Sequence, residues 1–186
     1  MSEVQINDDV SVQEYFEQKL PQIFAEHVQQ NPPTDLEDQE FRINYHIDDK
    51  AYGLRVKNGT QLEVVPGGVE EAHLTSTLTE TDWRDATLGN VVVPNPLLQY
   101  NTRKHLDKIK NYKGVFKLRL ARAEGDPFNS ATTFNGVDTP EVTVIAKASD
   151  YALIQQGKMN PQMAMMTGKV KFEGSLPFLM TLSSLQ

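Results

Sequence analysis

The side chains with the widest chemical reach in this chain are four histidines, His27, His46, His73 and His105. No two of them stand at a spacing that places imidazoles together on a helix face or across a turn, as a zinc site requires. His73 follows Glu70 and Glu71, the nearest approach to a mixed ligand set. There is no cysteine, which removes thiolate nucleophiles, disulfides, zinc fingers and iron–sulfur clusters together. Asp82 and Asp85 flank Trp83, but the backbone dipole alone favours carboxylates at a helix start. A Gly-x-Ser-x-Gly elbow, a phosphate-binding loop and a dinucleotide fingerprint are all missing. The expectation is a protein that is not an enzyme, with no catalytic residue, no metal and no cofactor.

What remains is apolar chemistry. Five of the six methionines lie in residues 159–180. Methionine is unbranched and polarizable, so a wall rich in it can repack around ligands of differing shape. The competing reading is that Met163, Met166 and Met180 are plain core. The tail Leu176, Phe178, Leu179, Leu182 and Leu185 is open to the same two readings, a lid over a ligand or a helix docked on a sheet.

These residues need elements to hold them. Ser11-Val12-Gln13-Glu14 is a capping-box pattern, and Val12, Phe16, Leu20, Ile23 and Phe24 recur near helical spacing. Pro21 predicts a kink or two short helices over 10–30. Phe41, Ile43, Tyr45 and Ile47 then alternate with polar residues, Tyr52, Leu54 and Val56 repeat the alternation, and Asn58-Gly59 marks a hairpin. This predicts an antiparallel meander with one buried face. A strand over Leu74–Leu78 leads into a helix capped by Thr79 or Thr81 and closed near Gly89. The stretch from Val65 to Gly89 aligns without gaps on Thr133 to Gly157, pairing Thr75 with Thr143, Asp82 with Asp150 and Trp83 with Tyr151. That suggests a degenerate internal repeat of a strand–cap–helix unit. Residues 91–113 read as a connector ending in a short basic helix, and Phe116, Leu118 and Leu120 alternate inward on the next strand. Later, Ser149 is expected to cap a helix, Asn160 with Pro161 to start another, and Ser175 with Pro177 a third.

Composition agrees with a folded, water-facing protein. Of 186 residues, 39% are hydrophobic and 23% charged, too apolar for disorder and too polar for a membrane span. The formal net charge of -7 argues against nucleic acid as a partner, because phosphate binding needs basic residues. Residues 103–122 invert the balance, with eight Lys or Arg against Asp107 alone. That segment reads as a solvated face, or as a surface for transient contact with an anionic membrane. The start of the chain has no signal-peptide pattern and the end lacks Ser-Lys-Leu, so a cytoplasmic location is expected.

One stretch carries a resemblance. Gly157-Lys158-Met159-Asn160-Pro161-Gln162, followed by Gly168-Lys169-Val170-Lys171-Phe172-Glu173-Gly174, resembles the sterol carrier protein type 2 family closely over 140–186. Residues 41–89 are similar to the family's earlier strands and first helix, through Val56-Lys57-Asn58-Gly59 and Thr81-Asp82-Trp83. The resemblance implies one α+β domain over 1–186, a curved and mostly antiparallel sheet with helices over one face. It also implies a hydrophobic tunnel for a fatty acyl chain, sterol or similar lipid, lined by Met163, Met165, Met166, Phe172, Phe178, Leu179 and Leu182. Residues 91–135 exceed the family pattern, as either an insertion or a partial duplication. The rival reading is an accessory module that binds proteins and fills its tunnel with side chains.

Overall fold

In the computed structural model, which describes residues 5–185, eight strands form a single open sheet. The strands are β1 (Glu40–Ile47), β2 (Lys50–Lys57), β3 (Gln61–Pro66), β4 (Leu74–Leu78), β5 (Gly114–Ala121), β6 (Phe128–Phe134), β7 (Glu141–Lys147) and β8 (Val170–Gly174). Their order is β3-β2-β1-β4-β6-β5-β7-β8. Five of the seven pairings are antiparallel, and β1–β4 and β5–β7 are parallel. The α+β class and the mostly antiparallel sheet are therefore as the sequence implied.

The alternating strands behave as their pattern demands. Phe41, Ile43 and Ile47 are buried on the inner face of β1, while Arg42 and Asn44 lie on the other face and His46 is exposed. Asn58 and Gly59 both take positive φ, 55° and 70°, in a three-residue loop that closes on the Lys57↔Gln61 pair, and such tight hairpin loops need left-handed residues.

Two sets of elements share one pattern of neighbours. In the first, β1 pairs antiparallel with β2 and parallel with β4, and helix α3 (Glu80–Leu88) follows β4. In the second, β5 pairs antiparallel with β6 and parallel with β7, and helix α6 (Ala148–Gln155) follows β7. Antiparallel β4–β6 pairing joins the two sets into one sheet. Trp83 on α3 and Tyr151 on α6 hold corresponding, buried positions.

The helices pack on the inner face. Residues 12–30 form one helical run of α1 (Val12–Glu14), a π-helical turn (Tyr15–Lys19) and α2 (Leu20–Gln30). The wide turn precedes Pro21, which has no N–H to give to the ladder, so the run continues instead of breaking into two helices. The Ser11 hydroxyl accepts from the Glu14 amide at 3.0 Å, as the capping pattern predicts. Phe16 stacks on Tyr52 with ring centroids 4.7 Å apart and meets Tyr45 at 5.2 Å. The connector over 91–113 holds two short helices, α4 (Pro96–Gln99) and α5 (Arg103–Ile109). Helices α7 (Pro161–Met166) and α8 (Leu176–Leu182) start at Asn160 and Ser175, both by side-chain caps.

Three local expectations are corrected. The basic helix does not run to the end of the 91–113 connector but stops at Ile109, and β5 begins at Gly114. The cap of α6 is Lys147, without a side-chain bond, not Ser149. Strand β6 was not foreseen at all: Asn129-Ser130-Ala131-Thr132-Thr133 has no apolar alternation, because its inward positions carry hydroxyls.

Candidate functional site

The inner face of the sheet and the helices do not close on each other. Between them lies a cavity of about 540 Å³, within the ~300–1,000 Å³ that encloses small organic ligands. Its floor crosses the β4–β6 junction: Tyr45 from β1, Leu74 and Ser76 from β4, Phe128 and Thr132 from β6, and Phe116 from β5. Its walls are Tyr15 and Phe16 of the first helical run, Trp83 and Ala86 of α3, Tyr151 and Ile154 of α6, and Leu179 of α8.

The cavity draws its lining from two packed clusters. One gathers Phe16, Ile43, Leu74, Trp83 and Phe134 around the first helical run and α8. The other gathers Leu118, Phe128, Val144, Tyr151 and Val170 around α6 and α7. Phe116 and Leu179 touch both. Each cluster is close-packed by itself, so the open space between them keeps its shape as long as both hold.

Among the described residues, no Lys, Arg, His, Asp or Glu lines the cavity. Its polar groups are hydroxyls and amides. Burial pushes the Tyr15 phenol up to about 12, and burial with the neighbouring Tyr15 raises Tyr45 further. Burial, reinforced by Tyr100, also raises Tyr151. All three stay neutral at any physiological pH. The exposed members of the lining are Asn160, Pro161, Gln162, Met180 and Ser183, so the opening lies between the start of α7 and the second half of α8.

The structure divides the residues expected at a binding site. Met165, Leu179 and Leu182 line the cavity. Met163 and Met166 do not; they are 56% and 82% exposed, on the solvent side of α7. The six-residue α7 buries Ala164, and Met163 and Met166 turn away from that contact. Phe172 is half-buried and packs with the first cluster without reaching the lining. Phe178 is buried elsewhere, edge-on to Phe134 at 6.1 Å and against Gly114. Met165 and Met180 are the methionines of the lining, which otherwise is largely aromatic, aliphatic and hydroxyl-bearing residues from both halves of the chain. Trp83 and Tyr151 were visible in the sequence as a matched pair. Tyr45 showed there only as one of the alternating positions of a strand, and Ser76 and Thr132 gave no signal as site residues.

The histidines hold no site. His73 is buried and accepts a hydrogen bond on Nδ1 from the Arg42 backbone N–H at 3.0 Å, while its own N–H donates to the Arg42 carbonyl. Burial, helped by Arg42 and Lys110, lowers its pKa to about 4. Among the described residues no group of three or more His, Asp or Glu could hold a metal ion. Among the described residues no helix is long and apolar enough to cross a membrane. The basic segment finds its partners mainly at carboxylates outside the N-terminal region, with Lys117 on Glu141 at 2.7 Å and Arg122 on Asp85 at 2.8 Å.

Residues 95–186 match the SCP-2 sterol transfer family, which bears out the resemblance over the second half of the chain. Among solved structures, the sterol carrier protein domain 2 of Helicoverpa armigera is 26% identical, with a TM-score of 0.35 over 43% of this chain and 71% of that one. Sterol carrier protein 2 like 2 of Aedes aegypti is 19% identical, with a TM-score of 0.35 over 57% of this chain and 94% of that one. Sterol carrier protein 2 of Yarrowia lipolytica in its apo form is 17% identical, with a TM-score of 0.32 over 44% and 75%. No curated protein matches the chain.

Proposed function

We propose that this protein binds and carries a long apolar molecule, without catalysis, in the cavity between its sheet and helices. The observation that carries the reading is a space of about 540 Å³ with no charged side chain among its described lining residues, in a chain whose residues 95–186 match a sterol transfer family. Each buried methylene contributes ~0.8 kcal/mol. A chain of about 14 carbons therefore gains on the order of 11 kcal/mol before the cost of association. Micromolar binding is within reach with no charged contact.

The open cavity favours this reading over a protein-binding module whose interior is filled by side chains. The matching neighbour patterns of the two strand–helix sets favour a duplicated unit over an insertion at 91–135. Exchange with membranes would be transient contact at the surface.

Native mass spectrometry of freshly purified protein tests the proposal. A co-purified lipid adduct, displaced by added fatty alcohol, is the expected result. A bare protein that also fails to bind the neutral fluorophore N-phenyl-1-naphthylamine would sink it.

A further inference from the structure

The exposed large hydrophobic side chains among the described residues all lie in one stretch of the chain: Leu153, Met163, Met166, Leu176 and Met180. Met163 and Met166 stand three apart on α7 and Leu176 and Met180 four apart on α8, so each pair shares one helix face. These two helices border the opening of the cavity. Asn160, Pro161 and Gln162 line it at the start of α7, and Met180 lines it in the second half of α8. Single exposed apolar residues are ordinary, but a group of them around one opening marks a contact surface.

The charges beside that opening are mostly of one sign. Lys158 precedes α7, Lys169 and Lys171 follow it, and all three are exposed. From 151 to 186 the chain holds these three lysines and a single acid, Glu173, and Asp150 just before is met by Lys169 at 3.6 Å. On the other side, Lys108 of α5 donates to the Ser184 carbonyl just past α8, with Lys104 one turn back on the same helix. The same polarity divides the whole chain. Residues 1–94 hold six Lys or Arg against eighteen Asp or Glu, and residues 95–186 hold twelve against seven.

Resting on the carrier reading above, we propose that α7 and α8 form the face by which this protein docks on an anionic lipid bilayer, with the cavity mouth turned toward it. Met163, Met166, Leu176 and Met180 enter the headgroup layer, and the lysines on both sides of the mouth meet lipid phosphates. The acidic first half is repelled by the same surface, which sets the orientation. Methionine suits such a rim, because its unbranched chain adapts to irregular neighbours. A molecule leaving the cavity passes between these helices, so a bilayer seated there receives apolar cargo that never crosses open water.

The chain has no cysteine, so Met166→Cys offers one site for a nitrobenzoxadiazole label. Gln61→Cys is the control, on β3 at the opposite edge of the sheet from β8. On vesicles of phosphatidylcholine with phosphatidylserine, the label at 166 should shift to the blue and brighten, while that at 61 stays as in buffer. Vesicles of phosphatidylcholine alone should bind several-fold more weakly, and high salt should remove most binding to the anionic ones. Lys158→Gln and Lys171→Gln should each weaken vesicle binding by up to about fivefold, and Met163→Ser combined with Met166→Ser should weaken it several-fold. These are exposed positions outside the cavity lining, so urea midpoints and fluorophore binding without vesicles should hold.

Equal signals at 166 and 61 overturn the docking face, and so does vesicle binding that the lysine and methionine variants leave unchanged. A signal at 166 that grows with protein concentration in the absence of vesicles also overturns it, by assigning the face to a second copy. A label at 166 that answers to anionic vesicles, in a protein that binds no fluorophore, removes the carrier reading and upholds the docking face. A protein that binds the fluorophore and ignores both kinds of vesicle does the reverse.

Discussion

Arg122 reaches from the end of β5 to the carboxylate of Asp82 in the first turn of α3, and its guanidinium also meets Asp85 at 2.8 Å. The Arg122 side chain is 16% exposed and that of Asp82 7%. The Thr79 hydroxyl accepts from the Asp82 amide and donates to its carboxylate. One guanidinium, paired with two carboxylates, therefore ties the second strand–helix set to the first turns of the first set's helix, beside the cavity wall at Trp83.

Removing one partner of such a pair strands the other. Arg122→Met leaves Asp82 buried without its cation and should cost about 3 kcal/mol. Adding Asp82→Asn should recover part of that loss, since the stranded charge is gone. Urea midpoints of the three proteins decide it. A single variant within about 0.5 kcal/mol of the native protein would make the contact a surface pair of little weight.

Ala86 faces the cavity and Met166 faces water. Ala86→Trp should grow into empty space, holding the urea midpoint while abolishing binding of the fluorophore. In a close-packed core the same exchange would cost about 1–3 kcal/mol. Met166→Trp, on an 82% exposed side chain, should change neither quantity. Loss of binding in Met166→Trp would put the ligand on the outside of α7.

Much of the fold was legible before any coordinates. The alternation at Phe41–Ile47, the positive-φ pair Asn58-Gly59 and the caps at Ser11, Asn160 and Ser175 each rest on local chemistry, and each stands where that chemistry put it. Strand β6 was invisible for a physical reason. Its inward residues Ser130 and Thr132 face a cavity instead of a core, so the apolar period that betrays a half-buried strand is missing. The site suffered likewise. Composition cannot tell a methionine on the wet side of a six-residue helix from one on the dry side, and Met163, Met165 and Met166 divide on that question alone.

His73 makes stability depend on pH. Its folded pKa of about 4 lies below the ordinary 6.5 because burial, Arg42 and Lys110 disfavour the cation, with Glu71 opposing them. Above pH 6.5 the ring is neutral in both states and contributes no slope. Between 6.5 and 4 the unfolded chain takes a proton that the folded one refuses, so stability falls by up to ~1.4 kcal/mol per pH unit and then levels off. His73→Asn retains an acceptor for the Arg42 N–H and lacks the titration. Its loss of stability from pH 7 to pH 5 should be smaller than the native protein's. An equal loss in both proteins would assign the slope to other groups.

Gly53 lies in mid-strand because the chain crosses over it between β3 and β4. A Cβ there would stand 2.5 Å from the Val69 nitrogen and 2.7 Å from the Gly68 carbonyl carbon. Asn44 holds that crossing by donating to the Val69 carbonyl at 2.9 Å and accepting from its N–H at 2.8 Å. Gly53→Ala should cost about 1–3 kcal/mol by overpacking. On an Asn44→Ala background, where the crossing is already released, the added cost should be smaller. Strict additivity in urea denaturation would separate the two residues.

The β4–β6 pairing, from Leu74↔Phe134 to Thr77↔Ala131, has a consequence for anyone who trims the chain to its family match. Residues 95–186 contain β6 but not β4. Cut there, β6 becomes a bare margin of unpaired N–H and C=O groups, a ready template for another strand. The floor of the cavity loses Tyr45 and Ser76 in the same cut, and its wall loses Trp83. The stretch that can be recognised by likeness is thus smaller than the piece that can close on itself. A fragment made to the shorter boundary would seek from a second copy the seam that its own first half supplies.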